Sequence, residues 1–147
     1  MLETPVDILL VEDNPNDVDL TVLAFKKNRS SNTIHVARDG QEALDFLFDN
    51  ATVSNGNTRR APRIILLDLK LPKVGGLEVL RRVKSNRHTR NIPVVILTSS
   101  SQDRDLSDCY ALGANSFIVK PVDFSKFTEC VRILGLYWLS FNHIPNP

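Results

Sequence analysis

Cysteine is scarce in this chain. Only Cys109 and Cys130 occur, with no CxxC motif and no cysteine–histidine pair at metal-ligand spacing. That excludes a disulfide-stapled mini-protein and favours reduced thiols over a single bridge. Charge of one sign is missing too: 18 basic and 17 acidic side chains leave a formal net charge of +1. No global field draws such a chain to nucleic acid or to an anionic membrane. Long apolar runs are absent. The N-terminus MLETPVDILLVEDN has no basic leader region, and its apolar run stops at Val11, so it is not a secretory signal. The most apolar stretch, 122–141, carries Asp123, Lys126, Glu129 and Arg132. Its charge-free part, from Ile133 to Phe141, falls far short of the ~20 residues a membrane span needs. The expectation is a cytoplasmic protein with neither nucleic acid nor membrane as partner.

What is present is ordinary globular material. The 147 residues are 42% hydrophobic and 24% charged, enough for one domain with its own core. That domain is expected to span 1–147, ordered over 6–141, with a fraying tail at 142–147. Four apolar runs, Val6–Val11, Ile64–Leu67, Val94–Leu97 and Phe117–Val119, read as buried strands, and Ile34–Ala37 as a shorter one. Between them lie segments of helical period. Asn14 followed by Pro15 supplies a cap and a first-turn proline. Gly75-Gly76 precedes a helix from Leu77, and Gly113 stops a helix over 102–112. A long final helix is expected over 122–141. The polar stretch 49–62, DNATVSNGNTRRAP, reads as a loop with some helix at its start. Strands alternating with helices imply right-handed crossovers and a parallel sheet covered on both faces. The class is α/β, doubly wound, with five strands and five helices.

In an open α/β sheet, ligands bind beyond the carboxyl ends of the strands. The first strand ends in Glu12-Asp13, the third in Asp68, the fourth in Thr98 and the fifth in Lys120. Taken singly, each has a bland explanation. An acid after a strand caps the next helix, a lysine solvates a surface, and a threonine opens a polar loop. Taken together, three acids from two strand ends repel one another and call for a cation. Carboxylates with no competing His or Cys suit a hard ion such as Mg²⁺. Lys120 stands where a point charge would meet a phosphoryl group, and a cis bond to Pro121 would aim it sideways into the pocket. Acids, a hard cation, a lysine and a hydroxyl around one carboxylate read as phosphoryl transfer onto an aspartate.

These residues, with Lys70-Leu71-Pro72, Gly75-Gly76, Thr98-Ser99 and Gly113-Ala114, resemble the receiver domain of two-component response regulators over nearly the whole chain. The resemblance implies a flavodoxin-like receiver fold with strand order 2-1-3-4-5. It implies that Asp68 is the phosphoacceptor and that Asp13 binds Mg²⁺ directly, with Mn²⁺ as an alternative ion. Glu12 acts directly or through a water, and Asp68 and the backbone carbonyl of Lys70 complete the protein's share. Lys120 and Thr98 hold phosphoryl oxygens. Phe117 turns inward as Thr98 moves, the pair forming a switch. Such a protein is no enzyme beyond its own aspartyl phosphorylation and dephosphorylation. The 49–62 loop, the expected lack of an output domain and the ending GLYWLSFNHIP resemble the single-domain regulators of bacterial and cyanobacterial phytochromes. A phytochrome histidine kinase and a downstream protein are then the implied partners. Phe117 departs from the family's common tyrosine, so its switch would rest on packing alone.

Phe124, Phe127, Val131, Leu134, Trp138 and Phe141 form one stripe on the last helix, suited to packing on the sheet. A second apolar set, Cys130, Ile133, Leu136, Tyr137 and Leu139, predicts a homodimer through this helix and the face of Phe117. The basic stretch Arg81, Arg82, Lys84, Arg87, His88, Arg90 reads as a solvated helix end. Three rival functions are weaker. A haloacid dehalogenase-type phosphatase needs a second acid two residues after the nucleophile, where Lys70 stands. A nucleotide or flavin site needs glycine in the first strand-to-helix turn, which here is EDNPND. A receiver-like scaffold without phosphotransfer would not need the intact set Glu12, Asp13, Asp68, Thr98 and Lys120.

Overall fold

The computed structural model describes residues 6–28, 32–48 and 61–145. The 49–62 loop reading falls almost wholly outside them. In chain order the elements are β1 (Ile8–Val11), α1 (Pro15–Lys27), β2 (Ile34–Ala37), α2 (Gly40–Phe48), β3 (Ile64–Leu67), α3 (Gly76–Ser85), β4 (Val94–Thr98), α4 (Asp103–Ala111), β5 (Ser116–Val119) and α5 (Phe124–Leu134). A π-helical segment, Gly135–Phe141, continues α5. The strands form one parallel sheet in the order β2-β1-β3-β4-β5, as the resemblance implies.

Every residue of β1, β3 and β4 is buried, because helices cover both faces. The alternation of side chains sorts the core into two layers. Leu9, Val11, Ile65, Leu67, Val94 and Ile96 meet Ala43 and Leu44 of α2, Val79, Leu80 and Val83 of α3, and Cys109 of α4. On the opposite face, Ile8, Leu10, Ile64, Leu66, Val95 and Leu97 meet Val18, Ala24 and Phe25 of α1 and Phe127, Val131 and Leu134 of α5.

The helix ends follow their local chemistry. The Asn14 side chain accepts from the backbone N–H groups of Asn16 and Asp17, with Pro15 at the first helical position. At the end of α4, Gly113 has φ +100°. Its N–H donates to the Tyr110 carbonyl, and Ala114 N–H to that of Cys109, a Schellman closure that needs the left-handed residue. Both cysteines are free thiols.

The final helix departs from the even period expected of it. Its start is Phe124, capped by Asp123, and beyond Leu134 the chain widens into π geometry. A π turn adds a residue and rotates every side chain beyond it about the helix axis. Leu139, assigned to the outer set, is therefore buried at 5% exposure, while Phe141, assigned to the core stripe, is 65% exposed. Arg63 donates to the Leu139 carbonyl, satisfying one acceptor of the widened turn. The basic stretch of α3 is solvated as expected where Arg81 and Arg82 pair with Glu78. Lys84 instead spends its ammonium on the carbonyls of Arg90 and Ile92 and on Asn115 Oδ1.

Candidate phosphoacceptor and metal site

Parallel pairing of β1 with β3 sets Val11 beside Leu67, so the next residues along each strand, Glu12-Asp13 and Asp68, leave the sheet side by side. Asp68 N–H donates to the Val11 carbonyl at 3.0 Å, tying the two strand ends together. Carboxylate oxygens of Glu12, Asp13 and Asp68 lie within 4.8 Å of one another. Their exposure is graded: Glu12 is buried, Asp68 half-buried and Asp13 exposed. This donor set is all oxygen, anionic and open on one side, which fits a hard divalent cation that keeps several waters.

Lys120 reaches the same cluster from the end of β5. Its ammonium donates to Glu12 and, at 2.9 Å, to Asp17 Oδ2, and it stands 3.6 Å from Asp68 Oδ2. Burial pulls the Lys120 amine down, but its bonds to Glu12 and Asp17 and the charge of Asp68 outweigh this and hold it above its usual range. Burial pushes the Glu12 carboxyl up to about 7, against the lowering effect of Lys120 and with the repulsion of Asp68 adding to it. The Asp68 oxygens are unequal. Oδ1 accepts from Leu69 N–H at 2.7 Å, whereas Oδ2 faces Lys120.

The β3–α3 loop is braced from behind by Gly76. A Cβ at that position would lie 2.3 Å from the Asp68 carbonyl oxygen and 2.6 Å from Leu69 Cα. Only a glycine lets α3 begin this close to the phosphoacceptor candidate. Lys70 lies exposed in the same loop. Thr98 is fully buried at the end of β4, where its hydroxyl oxygen accepts from Ser100 N–H at 3.3 Å and its carbonyl accepts from Lys120 N–H at 2.8 Å. Phe117 is half-buried beside Ile96 and packs on the α2–α3–α4 side of the core.

One expectation is corrected. No peptide bond among the described residues is cis, so Pro121 follows Lys120 through a trans bond. The lysine reaches Glu12, Asp17 and Asp68 from that linkage, and the ordinary trans preference of an X–Pro bond stands unopposed. One residue was not anticipated: Asp17, in the first turn of α1, is a fourth acid at the site through its bond to Lys120.

The chain matches the family described as the response regulator receiver domain over residues 8–132. It belongs to that family. Among similar receivers is the probable methanogenesis regulatory protein FilR2 of Methanothrix harundinacea. It is 42% identical over 145 residues, 99% of this chain and 91% of that protein. The crystal structure of the phosphorylated cyanobacterial phytochrome response regulator RcpA superposes with a TM-score of 0.86, at 34% identity, covering 97% of this chain and all of that one. The Mn²⁺-bound form of response regulator Rcp1, a protein of Synechocystis sp., gives a TM-score of 0.84 at 35% identity, covering 96% and 99% of the two chains. This receiver is thus close in sequence and fold to phytochrome response regulators. No helix among its described residues is long and apolar enough to cross a membrane.

Proposed function

We propose that this receiver takes a phosphoryl group from a phosphohistidine of a sensor histidine kinase onto Asp68 and signals by protein–protein contact in the cytoplasm. The observation that carries the reading is the meeting of Glu12, Asp13, Asp68 and Lys120 beyond the carboxyl ends of β1, β3 and β5. Asp68 Oδ2 attacks phosphorus, the O–P bond forms, and the P–N bond to the imidazole breaks. A Mg²⁺ ion held by Asp13, Asp68, Glu12 and the Lys70 carbonyl, or Mn²⁺ in its place, would neutralise charge on the acids and the transferring group. Lys120 supplies the second positive charge against the −1.5 to −2 or so that phosphorylation adds. Thr98 would turn its hydroxyl to a new oxygen, and Phe117 would follow into the vacated space, biasing a two-state surface. We take the kinase to be a phytochrome, on the likeness to the cyanobacterial phytochrome response regulator RcpA.

A homodimer belongs to the same reading. Ile133 and Tyr137 are 53% and 51% exposed, with Leu136 beside them, while Cys130 and Phe117 are half-buried. Exposed apolar area of the kind that Ile133, Leu136 and Tyr137 leave on the last helix favours a second copy of the chain. Sedimentation at tens of micromolar is expected to give a dimer, and a monomer before and after phosphorylation would refute it.

The deciding experiment is incubation with acetyl phosphate and Mg²⁺, followed by intact-protein mass. One phosphoryl group on the wild type and none on Asp68→Asn is expected. No adduct, and no beryllium fluoride complex either, would sink the proposal.

A further inference from the structure

We propose that Asp17 is a positioning residue that aims Lys120 at the phosphoryl group on Asp68. The inference deepens the phosphotransfer reading and rests on it. An ammonium has three N–H donors. In this receiver two of them are engaged by Glu12 and Asp17, and the third side of the ammonium is toward Asp68 Oδ2 at 3.6 Å. Asp17 and Glu12 therefore act as two guy-lines that fix where the remaining donor points. The two are not equivalent. Glu12 belongs to the carboxylate trio that faces the cation site, as does Asp68, whereas Asp17 lies outside that trio. Among the described residues it is the one partner of the Lys120 ammonium with no second claim from a cation.

Asp17 is also well fixed for the task. Its N–H donates to the Asn14 cap, and the buried Thr21 hydroxyl donates to its carbonyl at 2.7 Å. A lysine side chain loses much rotamer freedom when held. Supplying that hold from a preformed helix turn means phosphorylation need not order it. The plainer reading is that Asp17 only complements the positive end of α1. The two differ in whether the effect passes through Lys120.

The experiment is a double-mutant cycle on the rate of phosphorylation by acetyl phosphate, with Asp17→Ala in the wild-type and Lys120→Met backgrounds. We expect Asp17→Ala to slow phosphorylation about three- to tenfold with Lys120 present, and to change nothing further without it. An equal slowing in both backgrounds, or none in either, would overturn the proposal. A measurement independent of phosphotransfer guards it. Mass mapping with an amine-reactive probe should label Lys120 faster in Asp17→Ala than in the wild type, with melting temperatures recorded alongside. Unchanged labelling would overturn the tether even if the wild type takes no phosphoryl group. That last failure would by itself count against the phosphotransfer reading alone.

Discussion

At the scale of single residues, the site is a balance of like charges held by one lysine. Glu12 shows the cost: it is 3% exposed yet must ionise beside Asp68. Its carboxyl titrates near 7 in the fold and near 4.5 in the open chain, so the folded protein holds the proton more tightly. Stability from this group is complete below the open-chain value and drains away as pH rises through 7. Glu12→Gln does not titrate, and Lys120 keeps Asp17 and Asp68 as partners. The variant should therefore melt higher than the metal-free wild type at pH 8, by about 1 kcal/mol or roughly 3 °C. The gap should narrow toward pH 5, and Mg²⁺ should raise the melting temperature less than it does in the wild type. Calorimetry at several pH values, with and without Mg²⁺, checks all three. Glu12, Asp13, Asp68, Thr98 and Lys120 were legible because each closes an apolar strand or lies within two residues of its end. Asp17 was not, since an acid in a first helical turn has an ordinary local explanation. Only the path of the Lys120 side chain across the sheet end gives it another partner.

At the scale of elements, two neighbouring glycines make opposite demands. A Cβ at Gly75 would meet nothing within 4 Å, while one at Gly76 would meet the backbone of Asp68 and Leu69. Gly75 is the N-cap of α3 and makes no side-chain capping bond. Gly75→Ser should stabilise the protein by a few tenths of a kcal/mol, ~0.5 at most. Gly76→Ala should destabilise by about 1–3 kcal/mol and slow phosphorylation of Asp68. Denaturant melts of the pair separate these effects. The π segment allows a second comparison. Leu139→Ala should cost about 2–4 kcal/mol and Phe141→Ala no more than ~0.5, which chemical denaturation would reveal. A regular helix would reverse the order. The strands, their sequence of elements and the Gly113 stop could be read from runs and punctuation. The π turn could not, because periodicity carries a fixed 3.6-residue step past Gly135 and so assigns Phe141 to the core.

At the scale of the whole molecule, the parallel topology was legible as alternation, and the covered faces as unbroken Val, Ile and Leu runs. The strand order came from resemblance to a family rather than from the runs themselves. What no run of residues displays is the distance between elements that meet. Each strand pairs only with strands from which a helix separates it, and the acids of β1 and β3 approach within 4.8 Å only once those two strands align. Their repulsion is thus absent from the open chain and grows as the central pair forms. The site therefore opposes the joining of β1 and β3. If β1 and β3 are already joined at the barrier, Asp68→Asn should speed refolding several-fold, on the order of fivefold, and leave unfolding nearly unchanged. If they join afterwards, the same substitution should slow unfolding instead. Stopped-flow refolding and unfolding of the two proteins without divalent cations would tell at which moment the chain meets the charge it is built to hold.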